Sequence, residues 1–152
     1  MTAQEQGRAR AVGALLTAAI VALTAATAYI HFTLGGMLFL LNALGYAGLI
    51  GLVVLGATAP HPFVRRFDWV PRLALIGYTA VTIAGYLAMG PYFPLGWMTK
   101  GIEVALIVLL VLDVYRVYGS PRAMVRRAIR SVGVGRIPHE ELRGPAYPTM
   151  DS

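Results

Sequence analysis

The stretch from Ala11 to Val64 runs for 54 residues without a lysine, arginine, aspartate or glutamate, and this limits what the chain can fold into. At about 1.5 Å of rise per helical residue it is too long for one crossing of a hydrocarbon core about 30 Å thick, and it suits two crossings joined tightly. Polar and turn-forming residues gather at one place within it, Tyr29-Ile30-His31-Phe32-Thr33-Leu34-Gly35-Gly36. A hairpin there predicts a first span over about 11–30 and a second over about 34–59, stopped by Pro60-His61-Pro62.

Small residues mark faces on both spans. Gly35, Asn42, Leu49 and Gly56 recur every seven residues in the second, with Gly45 in the offset register. Such a seam lets helix backbones approach closely, which drives association where lipid is as apolar as leucine. The reading is a helix-packing seam of Gly35, Asn42, Gly45 and Gly56. In the first span Ala14, Ala18, Ala22 and Ala26 recur every four residues and predict a second packing stripe.

Beyond the second span, Val64-Arg65-Arg66-Phe67-Asp68-Trp69 reads as an interfacial loop, with Asp68 at helical spacing from both Arg65 and Arg72. A third span covers about 70–90 and carries Tyr78, Thr82 and Tyr86 on one face, a pattern expected to serve packing. The aromatic turn through Tyr92 leads to a fourth span over about 97–118. This one carries charge at both ends, Lys100 and Glu103 at one and Asp113 and Arg116 at the other, each pair three residues apart. Glu103 lies roughly 9 Å along the helix from Trp97, a depth at which a carboxylate is costly unless it is paired, protonated or turned toward the bundle. The topology brings the first hairpin and the start of the fourth span together. His31, Tyr92, Lys100 and Glu103 are therefore the candidate polar cluster of an outer-leaflet pocket.

Charge sets the expected orientation. Twelve of the 13 basic residues are arginines placed before the first span, between the second and third, or after the fourth. The exception is Lys100, so both termini are expected in the cytoplasm of a bacterial plasma membrane. A cleaved signal peptide is the rival reading of the N-terminus, since Ala26-Thr27-Ala28 resembles a cleavage site. The length of the first run favours an uncleaved span. After Gly119, Ser120-Pro121 starts a short basic amphipathic helix over 119–132, with Arg122, Arg126, Arg127 and Arg130 expected to bind anionic lipid headgroups. Residues 133–152 are rich in Gly, Pro and charge and are expected to be disordered. The fold expected is all-α, a four-helix membrane bundle with a short cytoplasmic helix and a tail. That agrees with a chain that is 57% hydrophobic and 13% charged.

The residues remove most chemistries. No cysteine is present, which excludes disulfides and thiolate metal sites. His31, His61 and His139 fall in a hairpin, a loop and a tail, so two of them cannot hold a buried haem between facing helices, and His139-Glu140-Glu141-Leu142 lacks the second histidine of a zinc-protease motif. Serine occurs only at 120, 131 and 152, outside the spans. No catalytic residue, metal site, cofactor or nucleic-acid partner is expected, and nothing argues for an enzyme.

Two portions, Tyr29 to Gly36 with Leu41-Asn42-Ala43-Leu44-Gly45-Tyr46, and Gly77-Tyr78-Thr79-Ala80 with Lys100-Gly101-Ile102-Glu103-Val104-Ala105-Leu106, resemble a group of small, uncharacterised four-span proteins of high-GC bacteria. The resemblance implies the topology over about 10–118 and no activity. Two functions from different classes follow from the residues. The Gly/Ala seams favour a structural or accessory subunit that packs with itself or within a larger membrane complex. The alternative is a small transporter or a quinone- or lipid-binding protein that uses the outer-leaflet pocket around His31 and Glu103.

Overall fold

The computed structural model describes residues 2–59, 61–90 and 92–133, and these residues are all-helical with no strand among them. The helices are α1 (Ala3–Leu34), α2 (Met37–Thr58), α3 (Pro62–Arg66), α4 (Trp69–Met89), α5 (Pro94–Tyr118) and α6 (Pro121–Val132). Four of them, α1, α2, α4 and α5, are long and apolar enough to cross a membrane, which suggests a multi-pass membrane protein. Around the bundle α1 neighbours α2 and α5, and α4 neighbours α2 and α5, closing a four-membered ring. One end of the bundle carries the α1–α2 and α4–α5 turns. The other carries the start of α1, the end of α5, and the short helices α3 and α6.

α1 is longer at both ends than the span expected over about 11–30. At the start, Thr2 and Glu5 form a reciprocal cap, with the Thr2 amide donating to Glu5 Oε2 at 2.7 Å and the Glu5 amide donating to Thr2 Oγ1 at 3.3 Å. The charged turns before Ala11 therefore continue the helix. At the other end the polar residues expected in a hairpin stay helical. Thr33 Oγ1 donates to the carbonyl of Ile30, and His31 Nδ1 lies 2.8 Å from the carbonyl of Thr27. Side chains satisfied by their own helix need no loop. The turn is reduced to Gly35 and Gly36, whose φ of 70° and 83° with extended ψ belong to a region that only glycine occupies readily.

This corrects the seam on α2. Gly35 lies in the turn, outside the helix, while Asn42 and Gly45 do meet a neighbour, Tyr78 of α4. The Tyr78 hydroxyl lies 3.1 Å from Asn42 Oδ1, and a Cβ at Gly45 would overlap that hydroxyl. Gly56 makes an ordinary contact with Pro71. The alanine stripe of α1 is corrected as well, since Ala14, Ala18 and Ala22 are exposed and α1 turns inward Ile20, Thr24, Thr27 and His31. Thr24 Oγ1 donates to the carbonyl of Ile20, so a buried threonine packs as a small side chain without an open hydrogen-bond demand.

The core is a layer of Ile20, Tyr46, Leu75, Leu106 and Leu110. Most other large apolar side chains, among them Leu15, Leu41, Val81 and Val108, face outward, as expected for spans that meet lipid. The segment between α2 and α4, expected as a loop, contains α3, started by Pro62 behind a His61 cap. α6 is held at its start by Ser120, whose side chain accepts from the Ala123 amide. The expected disorder of the tail falls, from residue 134 onward, outside the described residues.

Candidate functional site

Glu103, on the inward face of α5, has no exposed surface. Its Oε2 lies 2.5 Å from Lys100 Nζ, one helical turn back, and Lys100 is itself only 7% exposed. The lysine is therefore turned into the bundle together with its partner. Its ammonium also reaches the carbonyl of Thr82 at 3.4 Å and stands 5.4 Å from the Tyr86 ring centroid. From α1, His31 brings Nε2 to 3.8 Å from Glu103 Oε1, and from α2 the Tyr46 hydroxyl approaches the same oxygen at 3.3 Å. Three spans thus send polar groups to one carboxylate, and a fourth closes the set through Thr82, 2.8 Å from the Tyr46 hydroxyl.

Counting hydrogens shows where this network is short. His31 Nδ1 faces a carbonyl, which only accepts, so Nδ1 carries a proton and a neutral ring presents its Nε2 lone pair toward Glu103. Thr82 Oγ1 spends its hydrogen on the Thr79 carbonyl at 2.8 Å, so the short contact between Tyr46 and Thr82 takes the single tyrosine hydrogen. The longer approach of Tyr46 to Glu103 Oε1 is then the weaker arm. Glu103 Oε2 is well supplied by Lys100, while Oε1 lacks a full donor.

Beside the cluster lies a cavity of about 280 Å³. His31, Asn42, Thr82, Tyr86 and Lys100 supply its polar wall, and residues of all four spans line it. Its rim at Leu38, Val81 and Met89 is apolar and largely exposed. Gly96 keeps the wall open, because a Cβ there would overlap the Tyr86 hydroxyl. Of the four residues proposed for the pocket, His31, Lys100 and Glu103 come together. Tyr92 stands apart, exposed, with its ring stacked on Trp97 and its hydroxyl donating to the Leu87 carbonyl. Tyr46 and Thr82 take its place in the cluster. Thr82 was visible as part of a polar face, whereas Tyr46 was not singled out as a site residue, since one hydroxyl among apolar neighbours does not tell which face of the span it occupies.

A second buried charge sits at the opposite end of α5. Asp113 is 3% exposed and is held from both sides, by Arg72 of α4 at 2.7 Å and by Arg116 at 2.6 Å. Arg116 lies directly over Gly13, where a Cβ would fall 2.7 Å from its guanidinium, so this knot joins α1, α4 and α5. Local spacing paired Asp113 with Arg116 as observed but mispaired Asp68. Arg72 reaches Asp68 only at its backbone carbonyl, and the Asp68 carboxylate pairs with Arg127 at 2.9 Å. Among the described residues no three His, Asp or Glu side chains gather to hold a metal. The four arginines expected to meet lipid headgroups are all exposed, and two of them, Arg127 and Arg130, also line an open pocket with Arg66.

No family model matches the chain, and neither a curated protein nor a solved structure does so.

Proposed function

We propose that the chain is a multi-pass protein of a bacterial plasma membrane that binds the polar head of a small lipophilic molecule in the cavity beside Glu103. One observation carries this reading: a fully buried carboxylate, paired with Lys100 and approached by His31 and Tyr46, stands behind a cavity of about 280 Å³. Helix packing alone gives no reason for such a cluster. Apolar side chains of similar volume hold helices together as well as a buried ion pair or better, so the pair is retained at a cost to stability. A purely structural subunit leaves these groups without a task, and intramembrane charges facing a bundle commonly mark ligand or ion sites.

The wall chemistry narrows the ligand. Lys100 supplies a donor at the cavity wall, and Glu103 behind it holds that ammonium in place. The apolar rim suits a molecule that arrives through the lipid. A head group with a carbonyl or carboxyl oxygen to accept from Lys100 fits, which includes quinones and acyl lipids. By the charge asymmetry the turn end faces away from the cytoplasm, placing the cavity in the outer leaflet.

The test is to purify the parent, Glu103→Gln and a double variant, extract each, and identify bound lipophiles by mass spectrometry. The parent is expected to carry one stoichiometric lipophile; Glu103→Gln, less stable because Lys100 is left unpaired, and Lys100→Met with Glu103→Leu, which removes both charges, should each lose most of it while keeping their helicity. A parent free of any such molecule, or a variant that retains it undiminished, overturns the proposal.

A further inference from the structure

A second site, at the arginine-rich end, is independent of the cavity beside Glu103. We infer that a pocket between α6, α3 and the end of α5 binds a phosphate-bearing group. The pocket has a volume of about 590 Å³, and its wall includes Arg66, Tyr118, Arg127 and Arg130. No acidic side chain is among the described residues that line it.

Two of the guanidiniums are fixed before any ligand arrives. Arg66 donates Nε and one Nη to the carbonyl of Ser131 at 3.0 and 2.6 Å, while Trp69 Nε1 donates to the Ser131 hydroxyl at 2.9 Å and anchors the same turn of α6. Arg127 donates Nε to Asp68 at 2.9 Å and one Nη to the carbonyl of Arg65 at 3.0 Å. These bonds use two of the five N–H donors in each guanidinium and set its plane. Arg130 makes one long bond, 3.4 Å, to the carbonyl of Arg126. Asp68 offsets one of the three positive charges, so the pocket keeps an excess of cation. Planar forks held in place match the paired oxygens of a phosphate better than mobile surface lysines do.

Two sources can supply that phosphate, a lipid headgroup or a soluble anion. The position of α6 favours lipid. Val125, Ile129 and Val132 are exposed on it, an apolar stripe opposite a basic face, as in helices that lie at the headgroup level.

The full chain in neutral detergent is titrated with phosphatidylglycerol, with phosphatidylcholine and with inorganic phosphate, and binding is read by native mass spectrometry and by isothermal titration. Saturable binding of phosphatidylglycerol over phosphatidylcholine is expected. Arg130→Gln should weaken it roughly fivefold, the loss of one arginine near an anionic group. That variant removes only one long hydrogen bond, so its fold is preserved, and Arg66→Gln added to it should weaken binding further. Arg122→Gln with Arg126→Gln, both exposed and outside the pocket wall, should change affinity less than about twofold. Saturable inorganic phosphate binding with the same sensitivity to Arg130→Gln supports the site and identifies a soluble anion as its ligand. The site is refuted if neither probe saturates, or if the Arg122 and Arg126 variants weaken binding as much as Arg130→Gln, because diffuse surface charge then explains the attraction.

Discussion

Lys100 and Glu103 depend on each other more than either contributes alone. Removing one partner of a buried pair leaves the other charge without compensation, at a cost of about 3–5 kcal/mol, whereas removing both restores an apolar interior. Lys100→Met should therefore destabilise the protein strongly, and Lys100→Met with Glu103→Leu should recover most of the loss. Unfolding by denaturant in a fixed detergent measures both, and equal stability of the single and double variants would show that the pair is hydrated in solution. The sequence marked these two residues because charges inside an apolar run are conspicuous. His31 was conspicuous too, but was assigned to a hairpin, since its bond to the Thr27 carbonyl depends on the helix continuing through it.

Between helices, the contact of α2 with α4 rests on Gly45 and Asn42 against Tyr78. The two residues contribute differently. An interhelical hydrogen bond in a membrane bundle contributes about 0.6 to 2 kcal/mol, while a side chain at Gly45 must displace the tyrosine ring. Gly45→Leu should lower the melting temperature in detergent more than Asn42→Leu does, and a Gly45→Leu protein as stable as the parent would remove this contact from the account of the fold. The repeat at seven-residue spacing pointed to Asn42 and Gly45 correctly and to Gly35 wrongly. Periodicity reports which residues are small and does not report where the helix begins. Likewise, the alanine stripe of α1 was legible as small residues, yet the inward face belongs to Ile20, Thr24, Thr27 and His31, and a threonine such as Thr24, whose hydroxyl bonds the carbonyl of Ile20, reads as polar in sequence although it packs as a small side chain.

At the scale of the molecule, the number of apolar helices and their up-and-down order followed from two quantities, the length of the uncharged runs and the position of the breakers between them. The order of neighbours around the ring did not, because it rests on contacts such as Arg72 with Asp113 that join residues 41 apart. The same arrangement sharpens the expected orientation. The positive-inside rule weighs charges at the membrane surface, and Lys100, the one lysine or arginine near the turn end among the described residues, is buried and neutralised by Glu103. It therefore gives no opposing signal. Arg8 and Arg10 at the start of α1, Arg65 and Arg66 in α3, and the arginines of α6 all stand at the other end. Fusions of alkaline phosphatase after Ser152 and within the turn between Met89 and Pro94 should be inactive and active respectively, with a fluorescent protein giving the converse. Replacing Lys100 with Met should leave this pattern unchanged, since the residue lies inside the bundle. An active phosphatase after Ser152 would invert the topology, and would move the cavity beside Glu103 to the inner leaflet and the arginine pocket away from the cytoplasm.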